Sequence, residues 1–159
     1  MLRTLLVTAV SLFASVAIAA EPPSVVSYSK QAKFEDVRDD LKLAIEGKGL
    51  VIDYQSFIQQ MLERTGKDVG SQKKLYVDAQ ALVFCSANLS RKTMEADLAN
   101  VAMCPYTMVV YTTAQEPSKV HVSYRRPWRT DGSPASKASL KEVEALLDKI
   151  AREAIGQKK

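Results

Sequence analysis

Ala81-Leu82-Val83-Phe84-Cys85-Ser86-Ala87 opens a segment that runs on through Met103-Cys104-Pro105-Tyr106-Thr107-Met108-Val109-Val110-Tyr111. It closes on Lys119-Val120-His121-Val122-Ser123-Tyr124-Arg125-Arg126. Both cysteines and the sole histidine of the chain lie inside it. Ala81 to Phe84 reads as a short buried strand. Tyr106 to Thr112 and Val120 to Tyr124 carry the β-branched and aromatic content of two more. The segment 113–119 between them, with Glu116-Pro117-Ser118, is of hairpin length, so these two strands are expected to pair antiparallel. Ahead of the hairpin, Ser90 is expected to cap a helix with Met94, Leu98 and Val101 on its inner face.

Upstream, Val25 to Ser29 has the composition of a first strand, and the period then changes. Phe34, Val37, Leu41, Ala44 and Ile45 fall on one helical face, with Glu35 and Asp36 in the first turn where the macrodipole favours them. Gly47 and Gly49 end that helix. Leu50 to Tyr54 reads as a second strand. Ser56 is expected to cap a short helix whose apolar face is Phe57, Ile58, Met61 and Leu62, stopped at Gly66. Residues 67–74 form a polar loop, and residues 76–80 can be helical or extended. Downstream, residues 127–138 read as a Pro/Gly/Ser linker. Ser139-Leu140-Lys141-Glu142 is a capping-box pattern that opens a last helix over residues 139–159. Its apolar stripe is Leu140, Val143, Leu146, Leu147, Ile150, Ala154 and Ile155. The order predicts an α+β fold, a largely antiparallel sheet with helices packed on one face, in a single compact domain. A chain of 159 residues has room for one such core.

Residues 1–20 stand apart. Arg3 is their only charge, Leu5 to Ala17 is nearly all apolar, and Ala17-Ile18-Ala19 fits small-x-small cleavage. This is the pattern of a signal peptide, followed by a Pro-containing leader over residues 21–24. It leads to the expectation of a periplasmic or secreted protein, soluble and without a membrane span after cleavage. The formal net charge of +4 is too slight to indicate a nucleic-acid partner.

The helix Phe34, Val37, Leu41, Ile45 with Lys48-Gly49-Leu50 resembles the opening of the domain of unknown function 302 family. Phe84-Cys85-Ser86-Ala87, Met94, Asp97, Cys104-Pro105-Tyr106 and Val109-Val110-Tyr111 are similar to an exported branch with paired Phe-Cys and Cys-Pro-Tyr elements. Met61-Leu62-x-Arg64-Thr65-Gly66 also resembles that branch. The resemblance covers residues 25–126 and leaves the last helix outside. It departs from the family where many members carry Cys-Asn-Pro, here Cys85-Ser86-Ala87. It departs again where the second cysteine usually follows the proline, here the place of Tyr106. The resemblance implies helices on a sheet and no established activity.

The residues themselves leave several chemistries open. In an oxidising compartment Cys85 and Cys104 are expected to pair. If the strands beside them ran parallel, however, the two would be held too far apart. Reactive or metal-ligating thiols and unpaired buried cysteines are the other readings. His121, alternating with Val120 and Val122, is expected on the face away from the core, as an exposed strand residue. The sharper alternative joins it to Met103, Met108 or a cysteine as a soft-metal or haem ligand. Tyr124-Arg125-Arg126-Pro127-Trp128-Arg129 interleaves aromatics with cations and can clamp an anion or dock a partner, or simply run into solvent. Met61, Met94 and Met108 are expected in the core. No nucleophile elbow, P-loop or dinucleotide glycine pattern is present.

The expectation is therefore a small-ligand-binding or accessory domain without catalysis of its own and without a predicted cofactor. Its ligand is an unidentified small molecule or a periplasmic protein. Tyr106, His121, Tyr124, Arg125 and Arg126 are the ligand-binding candidates. The alternative is a thiol-redox or metal- or haem-handling protein using Cys85, Cys104 and His121.

Overall fold

The computed structural model describes residues 23–157, so the signal segment expected over residues 1–20 lies outside the described residues. Ten elements follow one another: β1 (Val25–Gln31), α1 (Phe34–Glu46), β2 (Ile52–Phe57), α2 (Ile58–Gly66), β3 (Tyr76–Phe84), α3 (Ala87–Ala96), a 3-10 helix (Leu98–Met103), β4 (Tyr106–Thr113), β5 (Lys119–Arg125) and α4 (Pro134–Ala154). The strands form one sheet in the order β1-β5-β4-β3-β2, and every neighbouring pair is antiparallel. Mixed helix and strand in a single compact domain is what the pattern predicted.

The alternation of side chains explains the layering. On β4, Tyr106, Met108, Val110 and Thr112 are buried while Thr107 is exposed and Val109, Tyr111 and Thr113 are half-buried. Val120, Val122 and Tyr124 of β5 and Leu82 and Phe84 of β3 complete the core face of the central strands. Onto it α1 presents Phe34, Val37, Leu41, Ala44 and Ile45, and α4 presents Leu140, Val143, Leu147, Ile150 and Ala154. Full burial of each large aliphatic side chain contributes about 1.5–3 kcal/mol, which is why the two helices whose stripe is complete are the two that close the core. Among the described residues no helix is long and apolar enough to cross a membrane.

Four local expectations fail, each because a tertiary contact outweighs a local signal. Ser56 does not cap a helix. It pairs with Ala81 in the sheet, and α2 starts two residues later without a side-chain cap. The expected apolar face is only partly covered: Phe57, the last residue of β2, is 44% exposed and Met61 41%, while Ile58 and Leu62 are half-buried. Ser90 does not cap α3 either. Ser86 does, its hydroxyl accepting from the Leu89 amide, and Ser90 sits inside the helix. Leu98 and Val101 are exposed rather than inward, because α3 ends at Ala96 and Asp97 turns extended to cap the 3-10 helix. Finally, α4 starts at Pro134 under a Ser133 cap, so the expected linker over residues 127–138 is shorter and Ser139 is a buried residue within the helix. Residues 76–80, open between helix and strand, are extended and belong to β3.

The change of course at Asp97 is fixed by a buried polar node. Asn100, fully buried, donates from Nδ2 to the Thr93 carbonyl at 2.8 Å. Its Oδ1 accepts from Arg129 at 3.1 Å and from the Ser136 hydroxyl at 3.0 Å. Arg129 also binds Asp97 at 2.7 Å. One amide thus ties α3, the 3-10 helix, the 127–133 segment and the start of α4. Removing it leaves several buried groups unsatisfied. We therefore expect Asn100→Ala to cost about 3 kcal/mol in urea unfolding, and Leu98→Ala, on the exposed side of the same turn, less than about 0.5 kcal/mol.

Candidate functional site

Strand β4 pairs with β3 as far as Phe84–Tyr106. Its ladder with β5, however, stops at Met108–Tyr124. Strand β5 meanwhile stays with β1 to Val25–Arg125, and the Arg126 amide donates to the Ser24 carbonyl at 2.9 Å. At this end of the sheet β4 and β5 therefore part, and Tyr106 and Thr107 no longer face Arg125 and Arg126 as ladder partners.

Two anchors hold the strands apart. On one side a disulfide joins Cys85, just past β3, to Cys104, just before β4, with Cα atoms 6.4 Å apart. Antiparallel pairing of β3 and β4 brings these two ends side by side, which parallel strands could not do. The Cys104–Pro105 peptide between the bridge and β4 is cis. On the other side Arg126 forms an ion pair with Glu144 of α4 and donates from Nε to the Pro23 carbonyl at 3.0 Å.

The gap is a cleft of about 410 Å³. It runs from the open face of the sheet, at Thr107, Ser123 and Arg125, through to Leu147 on α4. Ala102, Met103 and Pro105 form one wall, and Val25 and Pro127 form the other. Of the sequence candidates, Tyr106, Tyr124, Arg125 and Arg126 all line it. Burial raises the pKa of the Tyr106 phenol, with a Ser90 hydrogen bond pulling weakly the other way. The Tyr124 phenol is pushed further up, by burial first and then by the negative charge of Asp148. Both phenols therefore stay protonated at physiological pH. The Ser90 hydroxyl lies 3.3 Å from the Tyr106 oxygen and 3.5 Å from Cys104 Sγ, behind the same wall.

The aromatic and cationic run of residues 124–129 is dispersed by the fold. Arg126 goes to Glu144, and Arg129 goes to Asp97, Asn100 and Asp131. Trp128 is 44% exposed, beside Lys137. Arg125 is exposed and has no ion pair among the described residues. Sequence reasoning missed a polar cluster between β1 and α4. The Tyr28 hydroxyl donates to Asp148 and accepts from Arg152 at 2.7 Å, and the guanidinium lies 4.4 Å above the Tyr28 ring. The Asp148–Arg152 spacing of one helical turn was the readable signal. The partner tyrosine, far away in the chain, was not.

His121 is not part of the cleft. It lies on the face away from the core, as alternation implied, but it is half-buried rather than exposed. Its ring stacks on Tyr111 at 4.8 Å and 9°. Tyr111 stands opposite His121 and five residues beyond Tyr106, roughly 16 Å along the strand. The proposed metal or haem set of Cys85, Cys104 and His121 is therefore not brought together. The cysteines are bonded to each other, and Met108 faces the core on the opposite side of the sheet from His121. Among the described residues no group of three His, Cys, Asp or Glu side chains could hold a metal ion. A second groove of about 370 Å³ between α2 and the approach to β3, lined by Leu62, Gly66 and Tyr76 among others, collects none of the candidates.

The family model for the Domain of unknown function DUF302 matches residues 26–154, so the chain belongs to that family, and the last helix lies within the match. A crystal structure of an uncharacterized conserved DUF302 protein from Bacillus stearothermophilus superposes with a TM-score of 0.68. It is 16% identical, and the match covers 82% of this chain and 98% of that one. At that identity the likeness shows the fold. No curated protein matches.

His121 yields a pH test. Burial, helped by Lys119, lowers its pKa against the opposing pull of Glu116. The unfolded chain therefore takes up the proton first as pH falls below about 6.5, and stability drains from there until the folded group protonates. Urea unfolding between pH 7 and 5 is expected to show this loss in the natural protein and a smaller one in His121→Gln.

Proposed function

We propose that this chain is an exported small-ligand-binding or accessory domain that uses the cleft between β4 and β5. The observation that carries this reading is the splayed sheet end. It opens a cleft of ordinary ligand-site size and gathers Tyr106, Tyr124, Arg125 and Arg126 around it. Support for export comes from the signal-like first 20 residues and from a disulfide suited to an oxidising compartment. A fragment library screened against isotopically labelled protein is expected to move the amide signals of Thr107, Val109, Ser123 and Arg125. Thr107→Trp, which puts an indole on the exposed lip, is expected to abolish those responses while leaving the circular dichroism unchanged. Hits confined to the α2 groove, or indifferent to that variant, would refute the reading.

A second reading, thiol redox, is favoured by one observation: the Cys85–Cys104 bridge is only half-buried and sits against a wall of the cleft. Protein taken from its own compartment and equilibrated with dithiol buffers can be followed by intact mass. A structural bridge in a mature chain lacking the first 19 or 20 residues is expected to have a potential below about −300 mV. A value well above that would move the function to the disulfide.

A further inference from the structure

We infer that the ligand of this cleft is a small amphiphilic monoanion, with its carboxylate on the Arg125 guanidinium and its apolar body lodged between Pro105, Val109 and Leu147. This rests on the cleft being the binding site and adds the chemistry of what enters it.

The charge count around the cleft selects the head group. None of the lining side chains among the described residues is acidic. Of the two arginines present, Arg126 is neutralised by Glu144 and tethered to the Pro23 carbonyl. Arg125 stands at the open-face end, exposed and without an ion pair among the described residues. One uncommitted guanidinium matches one anionic group, and its planar fork suits a bidentate carboxylate. A phosphate dianion or a nucleotide would bring charges for which the cleft holds no further free cation among the described residues. A cationic ligand would meet Arg125 with nothing to offset it.

The walls select the body. Beside Arg125 the open-face lining includes the apolar Val25 and Val109, and Met103, Pro105, Pro127 and, on α4, Leu147 complete a mainly apolar lining. The phenols of Tyr106 and Tyr124 are kept neutral by burial, so no anion on the wall opposes the ligand. Thr107 adds an exposed hydroxyl beside the head-group position, whereas the buried Ser123 hydroxyl donates to Ser27 at 2.8 Å. An apolar chain or ring attached to the carboxylate gains by burial along this path, whereas a polar body would lose its hydration there.

The test titrates the full-length mature protein with octanoate, with octanamide (the body without the charge) and with acetate (the head without the body). Amide shifts are the readout. Octanoate is expected to bind about tenfold or more tighter than either control, moving Thr107, Val109, Ser123 and Arg125. Arg125→Gln is expected to remove about tenfold of the octanoate affinity and leave octanamide unchanged, with Arg125→Lys between. Arg125 is exposed, so these variants keep the fold. Octanamide binding as tightly as octanoate, or Arg125→Gln having no effect, overturns the monoanion inference while the cleft remains a binding site. No response at the cleft to any of the three, when fragments do perturb it, also overturns the inference. No response to fragments either brings down the cleft reading itself.

Discussion

Strand β4 cannot follow both of its neighbours, and the rest of the molecule is arranged around that fact. Eight residue pairs and a disulfide just beyond them keep its start beside β3. The end of β5 is kept beside β1 by the Arg126 amide and beside α4 by the Arg126 side chain. With both attachments in place, the β4–β5 ladder must end at Met108–Tyr124, and the sheet opens where its two halves are pulled apart. The cleft is thus a consequence of pairing and tethering, not of a loop left loose.

The same geometry explains why the chemistry is unevenly distributed. Antiparallel alternation sends Tyr124 and Tyr106 toward the helices and leaves Thr107, Ser123 and Arg125 on the open face. A gap at the strand ends is the one place where groups from both faces can meet. Helix α4 closes the floor through Leu147. It also supplies Glu144, Asp148 and Arg152, which occupy Arg126 and Tyr28. Among the described residues at the cleft, what remains unoccupied is the Arg125 guanidinium at the mouth.

Beside this, the buried amide of Asn100 does for the helical layer what the disulfide does for the sheet. It fixes where α3 stops and where α4 begins. Local signals at Ser90 and Ser139 were sound as helix-cap chemistry, yet Ser86 and Ser133 took those roles. The choice between neighbouring serines was made by which start buried the helix stripe and satisfied Asn100 and Arg129.

Much was legible in the residues alone. The period change after Ser29, the alternation from Tyr106 to Tyr124 and the long stripe after Leu140 determined the element types, the antiparallel hairpin and the fold class. These depend on side-chain spacing within one element, which a linear sequence records directly. Four residues of the cleft lining, Tyr106, Tyr124, Arg125 and Arg126, were among the sequence candidates, while His121 was a candidate that lies elsewhere. The separation of the arginines into committed and free was not legible, because Arg126 meets Glu144 from another element and Arg129 meets Asp97 from a third. Likewise the disulfide waited on strand direction, and the isolation of His121 waited on the register of β4 against β5. Sequence spacing determined the type of most elements, though not of residues 76–80 or of Ser56 and Phe57. Only the tertiary structure decided which side chains meet, because contacts between distant segments are set by how the strands pair and by which carboxylate each arginine reaches.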